Sequence, residues 1–373
     1  PVDTAKSVWV STHGLAMMIF HLPDFPSSPS ISTSKARALQ RVAGLDAEFP
    51  IIAQATFSTD NITSTGHNPA RVASDLHQTG ATVIGVNCGT GPSQISNILQ
   101  NKLSTGPYCN TFEKKFSKFI GTKYAVFVNS CTSALEIATK FIDLKKTDEV
   151  IVPVQTFIAT GTAVNNQSGK VVFAEVNPNT FCLDLSEIKK RKTKKTKAIM
   201  LVHFAGYMSN DILKIKDYCK KNNIFIIEDC SHAFGTRYGN YNAGNIGEIG
   251  CFSFFSTKTL TTGEGGMLTT NSKKIYQYAL SLRNRGEKIN SPIEIYDKSW
   301  RNCRVPEFNA VLGLSQLSNI KKINNHREMI TSIYDEGIKK EKSNDIYSLP
   351  RYEKIYYSVW KHVSIIKNPK IKR

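Results

Sequence analysis

Between residues 124 and 270 the chain runs through seven short apolar stretches: "YAVFVN" (124–129), "EVIVP" (149–153), "KVVFAEV" (170–176), "AIMLVHF" (198–204), "IFIIED" (224–229), "CFSFF" (251–255) and "GMLTT" (266–270). Helical patterns separate them, among them "TSALEIATKFI" (132–142) and "DILKIKDYCKKN" (211–222). Strands covered by helices on both faces have no polar side, and strands joined through helices run parallel. The alternation therefore predicts an α/β fold with a mostly parallel sheet between helical layers. Upstream, "TFEKKFSKFIG" places Phe112, Phe116 and Phe119 at helical spacing, with Gly121 as the stop. Downstream, residues 306–340 carry one long helical pattern.

The first hundred residues differ in kind. They are rich in Ala, Ser and Thr, and up to residue 100 their basic residues are Lys6, Lys35, Arg37, Arg41 and Arg71. Beyond that point Lys, Asn and Ile dominate, a shift that marks a boundary between two domains or two sources. "LPDFPSSPSIS" (22–32) reads as a loop. "PIIAQATF" (50–57) reads as a strand, "NPARVASDLHQTG" (68–80) as a helix stopped at Gly80, and "TVIGVNCGTGP" (82–92) as a strand with a glycine turn. Together they make one βαβ unit, too small to close a barrel.

With 373 residues, 40% of them hydrophobic, the chain can build a large core. No apolar run is long enough for a membrane span, and no leader pattern opens the chain. The eight cysteines are scattered without a C-x-x-C pair, which points to reduced core thiols in a cytoplasmic protein and to no zinc site. The net charge of +18 raises the question of nucleic acid. Its densest run, "KKRKTKKTK" (189–197), has no interleaved aromatics and reads as a solvated helix end, so neither nucleic acid nor membrane is expected as a partner.

Ligands of parallel sheets bind at the carboxyl ends of the strands. Three candidates lie at such ends. "NSCTSAL" (129–135) is a strand-to-helix turn whose hydroxyls and free N–H groups suit an anion. "EDCSHA" (228–233) sets Asp229 at the end of a strongly apolar strand, and "FSFFSTKTLTTGEGGM" (252–267) sets Ser253 and Lys258 beside the next. Each has an ordinary reading: a helix cap, a capping aspartate, a surface lysine. Together they are the parts of a pyridoxal 5'-phosphate site: an amine for covalent attachment, a carboxylate for the pyridine nitrogen and a helix N-terminus for the phosphate. Phe157 in "VQTFIAT" is available to stack on the ring. A partly desolvated Lys258 has a lowered pKa, which makes the amine nucleophilic.

From about residue 98 onward the chain resembles the DegT–StrS family of pyridoxal-phosphate-dependent sugar aminotransferases. The matching pieces include "LSTGPYCNTFEKKF", "YAVFVNSCTSALEIA", "EVIVPVQTFIAT", "IIEDCSHAFGTRY", "GEIGCFSFFSTKTLTTGEGGMLTTN" and "RNCRVPEFNAVLGLSQL". The resemblance implies an aminotransferase large domain over 98–305 and the start of a small domain over 306–373. It implies Lys258 as the cofactor-binding lysine, Asp229 as the partner of the ring nitrogen and His232 near the ring hydroxyl. Thr132, Ser133 and Ser253 would hold the phosphate, and Phe157 would stack on the ring. Asn302, with Arg304 in the same motif, would reach the site of a partner subunit, so a homodimer is implied. The reaction implied is transfer of an amino group from glutamate to a nucleotide-linked keto-sugar, as in amino-sugar biosynthesis for surface polysaccharide. A lysine at 258 rather than a histidine favours transfer over dehydration.

Two departures from the family stand out. Cys131 occupies a position in the phosphate turn where the family carries a small residue such as glycine, and a positive φ there would be strained. Against the family, the chain is also expected to stop inside the small domain, with a different piece at its beginning. Over residues 49–92 that piece resembles the homocysteine methyltransferase family, chiefly through "PIIAQATF" and "TGHNPARVASDLHQTGATVIGVNCGTGP". There Cys88 would be one zinc ligand. The neighbouring cysteine pair that completes such a site does not occur in this sequence, so residues 1–97 are expected to be a barrel fragment without its chemistry. The alternatives are a thiol- and zinc-binding module at the N-terminus and a fusion product with no catalysis.

Overall fold

The computed structural model describes residues 104–367 apart from 290, 292, 294 and 342–344, and the backbone of four strands before them. The chain divides into two compact units, Pro1–Leu103 and Ser104–Arg373. In the first, β1 (Val8–Val10), β2 (Ala16–His21), β3 (Ile51–Thr56) and β4 (Val83–Asn87) form one sheet in that order. β1 and β2 are antiparallel, whereas β3 runs parallel to both β2 and β4. β3 and β4 fall inside the two strands expected from the sequence, with Ile52 opposite Val83. The helix expected at 68–80 and Cys88 lie outside the described residues.

The second unit is built on seven strands: β5 (Tyr124–Val128), β6 (Glu149–Pro153), β7 (Lys170–Ala174), β8 (Thr196–Val202), β9 (Phe225–Asp229) and, after the hairpin of β10 (Arg237–Tyr238) and β11 (Tyr241–Asn242), β12 (Ile249–Ser253) and β13 (Gly266–Thr270). Their order is β5-β13-β12-β9-β8-β6-β7. Only β13 is antiparallel to its neighbours, β12 and β5. Successive side chains along each strand serve opposite faces. Phe127, Ile151, Ile199 and Phe252 join one core, while Val126, Val128, Val150, Val152 and Met200 join the other. A sheet buried on both sides has continuous apolar strands for this reason, and the sequence shows them.

Helices cover both faces: α1 (Pro107–Ile120), α2 (Cys131–Ile142), α3 (Ile158–Asn165), α4 (Leu185–Arg191), α5 (Ile212–Lys221), α6 (Lys273–Arg283) and α7 (Glu307–Lys340). α1 ends as its sequence requires: Gly121 sits at φ +83° and returns its N–H to Ser117 O. Its other end is held from afar. The Glu307 carboxylate accepts from the backbone N–H groups of Gly106, Tyr108 and Cys109 at 2.7, 2.8 and 3.1 Å, so the first residue of α7 caps α1. Phe112 and Phe116 are fully buried against Phe127, Phe252 and Phe254, with ring centroids 5.0–5.9 Å apart. Phe119 stays at the surface, stacked on Phe234.

The C-terminal segment adds β14 (Ile346–Ser348), β15 (Ile355–Tyr356) and β16 (Ser364–Ile366). β14 pairs with β16, and β15 extends the β10–β11 hairpin by pairing with β10. That pairing brings residues 357–361 back toward the carboxyl ends of the large sheet. Among the described residues no helix is long and apolar enough to cross a membrane.

Candidate active site

The carboxyl ends of β5, β6, β8, β9 and β12 and the turn after β12 surround a cavity of about 550 Å³. Thr132, Phe157, Asp229, His232, Ser253 and Lys258 all line it. Six residues singled out from four separate strand ends are thus brought together by the sheet order, which sets β9 beside β12.

The anion end is the start of α2. Ser130 is its N-cap and accepts from Ser133 N at 3.1 Å, leaving Thr132 exposed in the first turn. Ser133 does not line the cavity: it is buried, and its hydroxyl donates to Asn129 Oδ1 at 2.7 Å. Cys131 is the first helical residue and is absent from the positive-φ residues, so the expected strain does not arise. The turn is shaped from below by Gly266. A Cβ there would stand 2.3 Å from Ser130 C and 2.5 Å from Cys131 N, so any side chain would push the anion turn out of place. The glycine run after Lys258 therefore serves the close approach of β13 to this turn as well as the cavity wall, where Gly265 lies.

Asp229 ends β9, is 5% exposed, and accepts from Ser231 Oγ at 2.6 Å and Thr160 Oγ1 at 2.8 Å. The preceding residue, Glu228, is fully buried and anchors the strand end. It accepts from Gly244, Ile246 and Gly247 N–H groups and from His203 Nε2 at 2.8–3.0 Å. His203, Glu228 and Cys230 form a tight buried trio, but this carboxylate is already committed to four donors.

Lys258 follows β12 in a turn closed by its own N–H to Phe255 O at 2.9 Å. Burial lowers its pKa from 10.5, Asp229 and Cys131 oppose the shift, and Lys361 adds to it. His232 is pushed down to about 4, chiefly by burial and then by the Lys258 charge. Its Nδ1 accepts from Ala205 N at 3.3 Å, so the neutral ring carries its proton on Nε2. Ala205 holds φ +52°, a strained value in the loop beneath the site.

Trp360 and Lys361, which sequence reasoning did not single out, complete the wall. The indole stacks on His232 at 3.9 Å and 15°, and Lys258 Nζ sits 4.3 Å from its centroid. Trp360 Nε1 donates to Thr257 O at 2.8 Å and its amide to Ala205 O at 3.0 Å. Phe157, 70% exposed, stands at the head of α3 and lines the cavity. Asn302 lies outside this cavity: its Oδ1 accepts from Arg304 N at 3.1 Å, and Arg304 in turn bonds Asn284.

This arrangement fits one amine, one buried carboxylate, an imidazole and an anion turn around a planar group. The chain's likeness to known proteins agrees with it. GDP-perosamine synthase of Escherichia coli O157:H7 is 34% identical over 263 residues, which cover 70% of each chain. GDP-perosamine synthase of Vibrio cholerae is 35% identical over 231 residues, 62% of each. The chain thus spans roughly two thirds of the length of these relatives. The putative sugar aminotransferase Spr1654 from Streptococcus pneumoniae, solved in its PLP form, superposes with a TM-score of 0.65 at 26% identity, covering 74% of this chain and 75% of that one. Residues 29–143 match the homocysteine S-methyltransferase profile. The longer match, over residues 92–372, spans the whole of the described cavity, and by it the chain belongs to the DegT/DnrJ/EryC1/StrS aminotransferase family.

Proposed function

We propose that this chain is a pyridoxal-phosphate-dependent aminotransferase that moves an amino group from glutamate to a nucleotide-linked keto-sugar. The observation that carries the reading is Lys258, an amine with a lowered pKa in one cavity with Asp229, His232 and the α2 anion turn. The bound cofactor would supply an electron sink for moving the amino group. The chain's own residues do the rest. Thr132 and Ser253 would hold the phosphate against the N-terminus of α2, with Ser133 supporting the turn behind them. Asp229 would meet the ring nitrogen, Phe157 and Trp360 would wall the ring, and neutral His232 offers an Nε2–H toward the ring hydroxyl. Lys258, neutral more often than a surface lysine, would take and return the proton at the reacting carbon.

We also propose a homodimer, with Asn302 reaching the partner's site. Phe308, Val311 and Leu312 lie within one turn of each other on α7, and Tyr108 lies on α1, its N–H bonded to the Glu307 carboxylate at the start of α7. All four are exposed. A second copy would cover this apolar face, which continues in sequence from Asn302. A cytoplasmic location is supported by the described cysteines, all of which are free. For residues 1–97 we propose a barrel fragment without zinc chemistry, since no adjacent cysteine pair stands in the sequence to join Cys88.

The test is an amination assay of the full chain with glutamate across nucleotide-linked 4-keto and 3-keto sugars. Formation of an amino-sugar nucleotide, lost in Lys258→Ala, supports the reading. No product from any of them, with cofactor bound, would turn it toward the non-catalytic alternative.

A further inference from the structure

We propose that Thr160 and Ser231 are positioning residues for Asp229, each ending a one-directional hydrogen-bond chain that converges on its carboxylate. The inference rests on the cofactor reading above and extends it to residues that do not themselves act on substrate.

The direction of both chains follows from counting protons. Thr160, fully buried on α3, donates its hydroxyl proton to Asp229 Oδ2 at 2.8 Å. A hydroxyl has one proton, so the 2.7 Å contact between Thr156 Oγ1 and Thr160 Oγ1 must have Thr156 as donor. On the other side, Ser231 donates its hydroxyl at 2.6 Å and its amide at 3.1 Å to Asp229 Oδ1. With that proton committed, the 3.1 Å contact between Cys131 Sγ and Ser231 Oγ must have the thiol as donor. Burial raises the Cys131 pKa, so the thiol keeps its proton. The order is Thr156 to Thr160 to Asp229 from one side, and Cys131 to Ser231 to Asp229 from the other. The cysteine of the anion turn thereby ties that turn to the carboxylate.

The consequence is an asymmetric carboxylate. Each oxygen offers about two acceptor positions. Oδ1 has both filled, and Oδ2 has one filled by Thr160. Asp229 lines the cavity, so Oδ2 is the oxygen with room for an N–H from a bound ring. Donors to both oxygens fix the plane of the group. Without the Thr160 hydroxyl, the plane of the carboxylate would be held from Oδ1 alone, and the oxygen that meets the ring nitrogen would be held less firmly.

The experiment uses the full chain as wild type, Thr160→Val, Thr160→Ser, Ser231→Ala and a control, Thr139→Val. Thr139 is also fully buried, but the single proton of its hydroxyl faces the backbone carbonyls of Leu135, Glu136 and Ala163, any one of which can accept it, and no carboxylate. The readouts are pyridoxal phosphate Kd, Tm of the cofactor-free chain, and kcat and KM. Loss of a hydrogen bond to a charged group corresponds to about tenfold. Thr160→Val is expected to raise the cofactor Kd and lower kcat by about tenfold each, with KM for the amino donor unchanged. Thr160→Ser should stay within about twofold of wild type, and Thr139→Val should lower Tm alone. If Thr160→Val lowers Tm as the control does, yet keeps wild-type Kd and kcat, the hydroxyl is merely structural and the proposal fails. Should Thr160→Val not fold, Ser231→Ala decides: a rise in Kd supports the proposal, and wild-type values overturn it. A wild-type chain that binds no cofactor overturns the functional reading and this inference together.

Discussion

At the scale of single residues, the site combines groups that the surroundings push in one direction. Burial disfavours charge on both His232 and Lys258, and the Lys258 charge further disfavours charge on His232. The cost appears in the pH dependence of folding. His232 takes its proton near 6.5 when unfolded and near 4 when folded, so the unfolded chain binds more protons between those values. Stability from this group is therefore complete above 6.5 and lost as pH falls toward 4. His232→Asn should flatten this slope: between pH 7.5 and 5 its Tm should fall several degrees less than that of the cofactor-free wild type. Equal slopes would mean that His232 is not held neutral. The placement of Lys258, Asp229 and Ser253 was legible because strand ends announce themselves in an apolar chain, and that of Thr132 through the family resemblance. Thr160, Ser231 and Trp360 were not. A buried threonine in a helix looks like any other, and Trp360 reaches Thr257 from 103 residues away. The pairing of β15 with β10 that delivers it leaves only a weak two-residue signal.

Among elements, the long periodic ones were readable and the contacts between them were not. Gly121 ended α1 where expected, and Glu307–Lys340 forms the long helix expected over 306–340. The seven apolar stretches became the seven strands, with ends moved by up to two residues. What no local pattern shows is that one end of α7 caps α1, or that β13 passes against the anion turn. Ordinary helical geometry at Cys131 likewise overrode an expectation based on family habit. The β13 contact gives a sharp expectation. Gly266→Ala places a methyl group 2.3 Å from the Ser130 carbonyl carbon, so the start of α2 must move. Cofactor affinity should fall at least tenfold, because the phosphate donors shift, while far-UV circular dichroism stays native. Unchanged affinity would mean that this turn does not hold the phosphate. The aromatic layer sets a second scale: Phe116→Ala should cost about 3–5 kcal/mol of unfolding free energy by denaturant titration, as expected for a fully buried ring.

For the whole molecule, the α/β architecture was plain from the alternation of strands and helices. The reversal of β13 was not, since an antiparallel strand carries the same apolar letters as a parallel one. Assembly is a separate matter, because within one chain the Asn302 side chain accepts from Arg304 N and its carbonyl accepts from Asn129 Nδ2, outside the cavity. If the site is shared, light scattering should give twice 41.5 kDa. Mixed dimers of Asn302→Ala and Lys258→Ala chains should then regain part of the activity, since one of their two sites has a full set. No recovery in verified mixed dimers would place the whole site on one chain. Covalent attachment of the cofactor to Lys258 can be tested by chemical trapping. The full chain is loaded with pyridoxal phosphate, reduced with borohydride, digested and mapped by mass spectrometry. The pyridoxyl label should fall on Lys258, in about one copy per chain, and disappear in Lys258→Ala. A label on Lys361 or spread over surface lysines, with Lys258 unmodified, would contradict it.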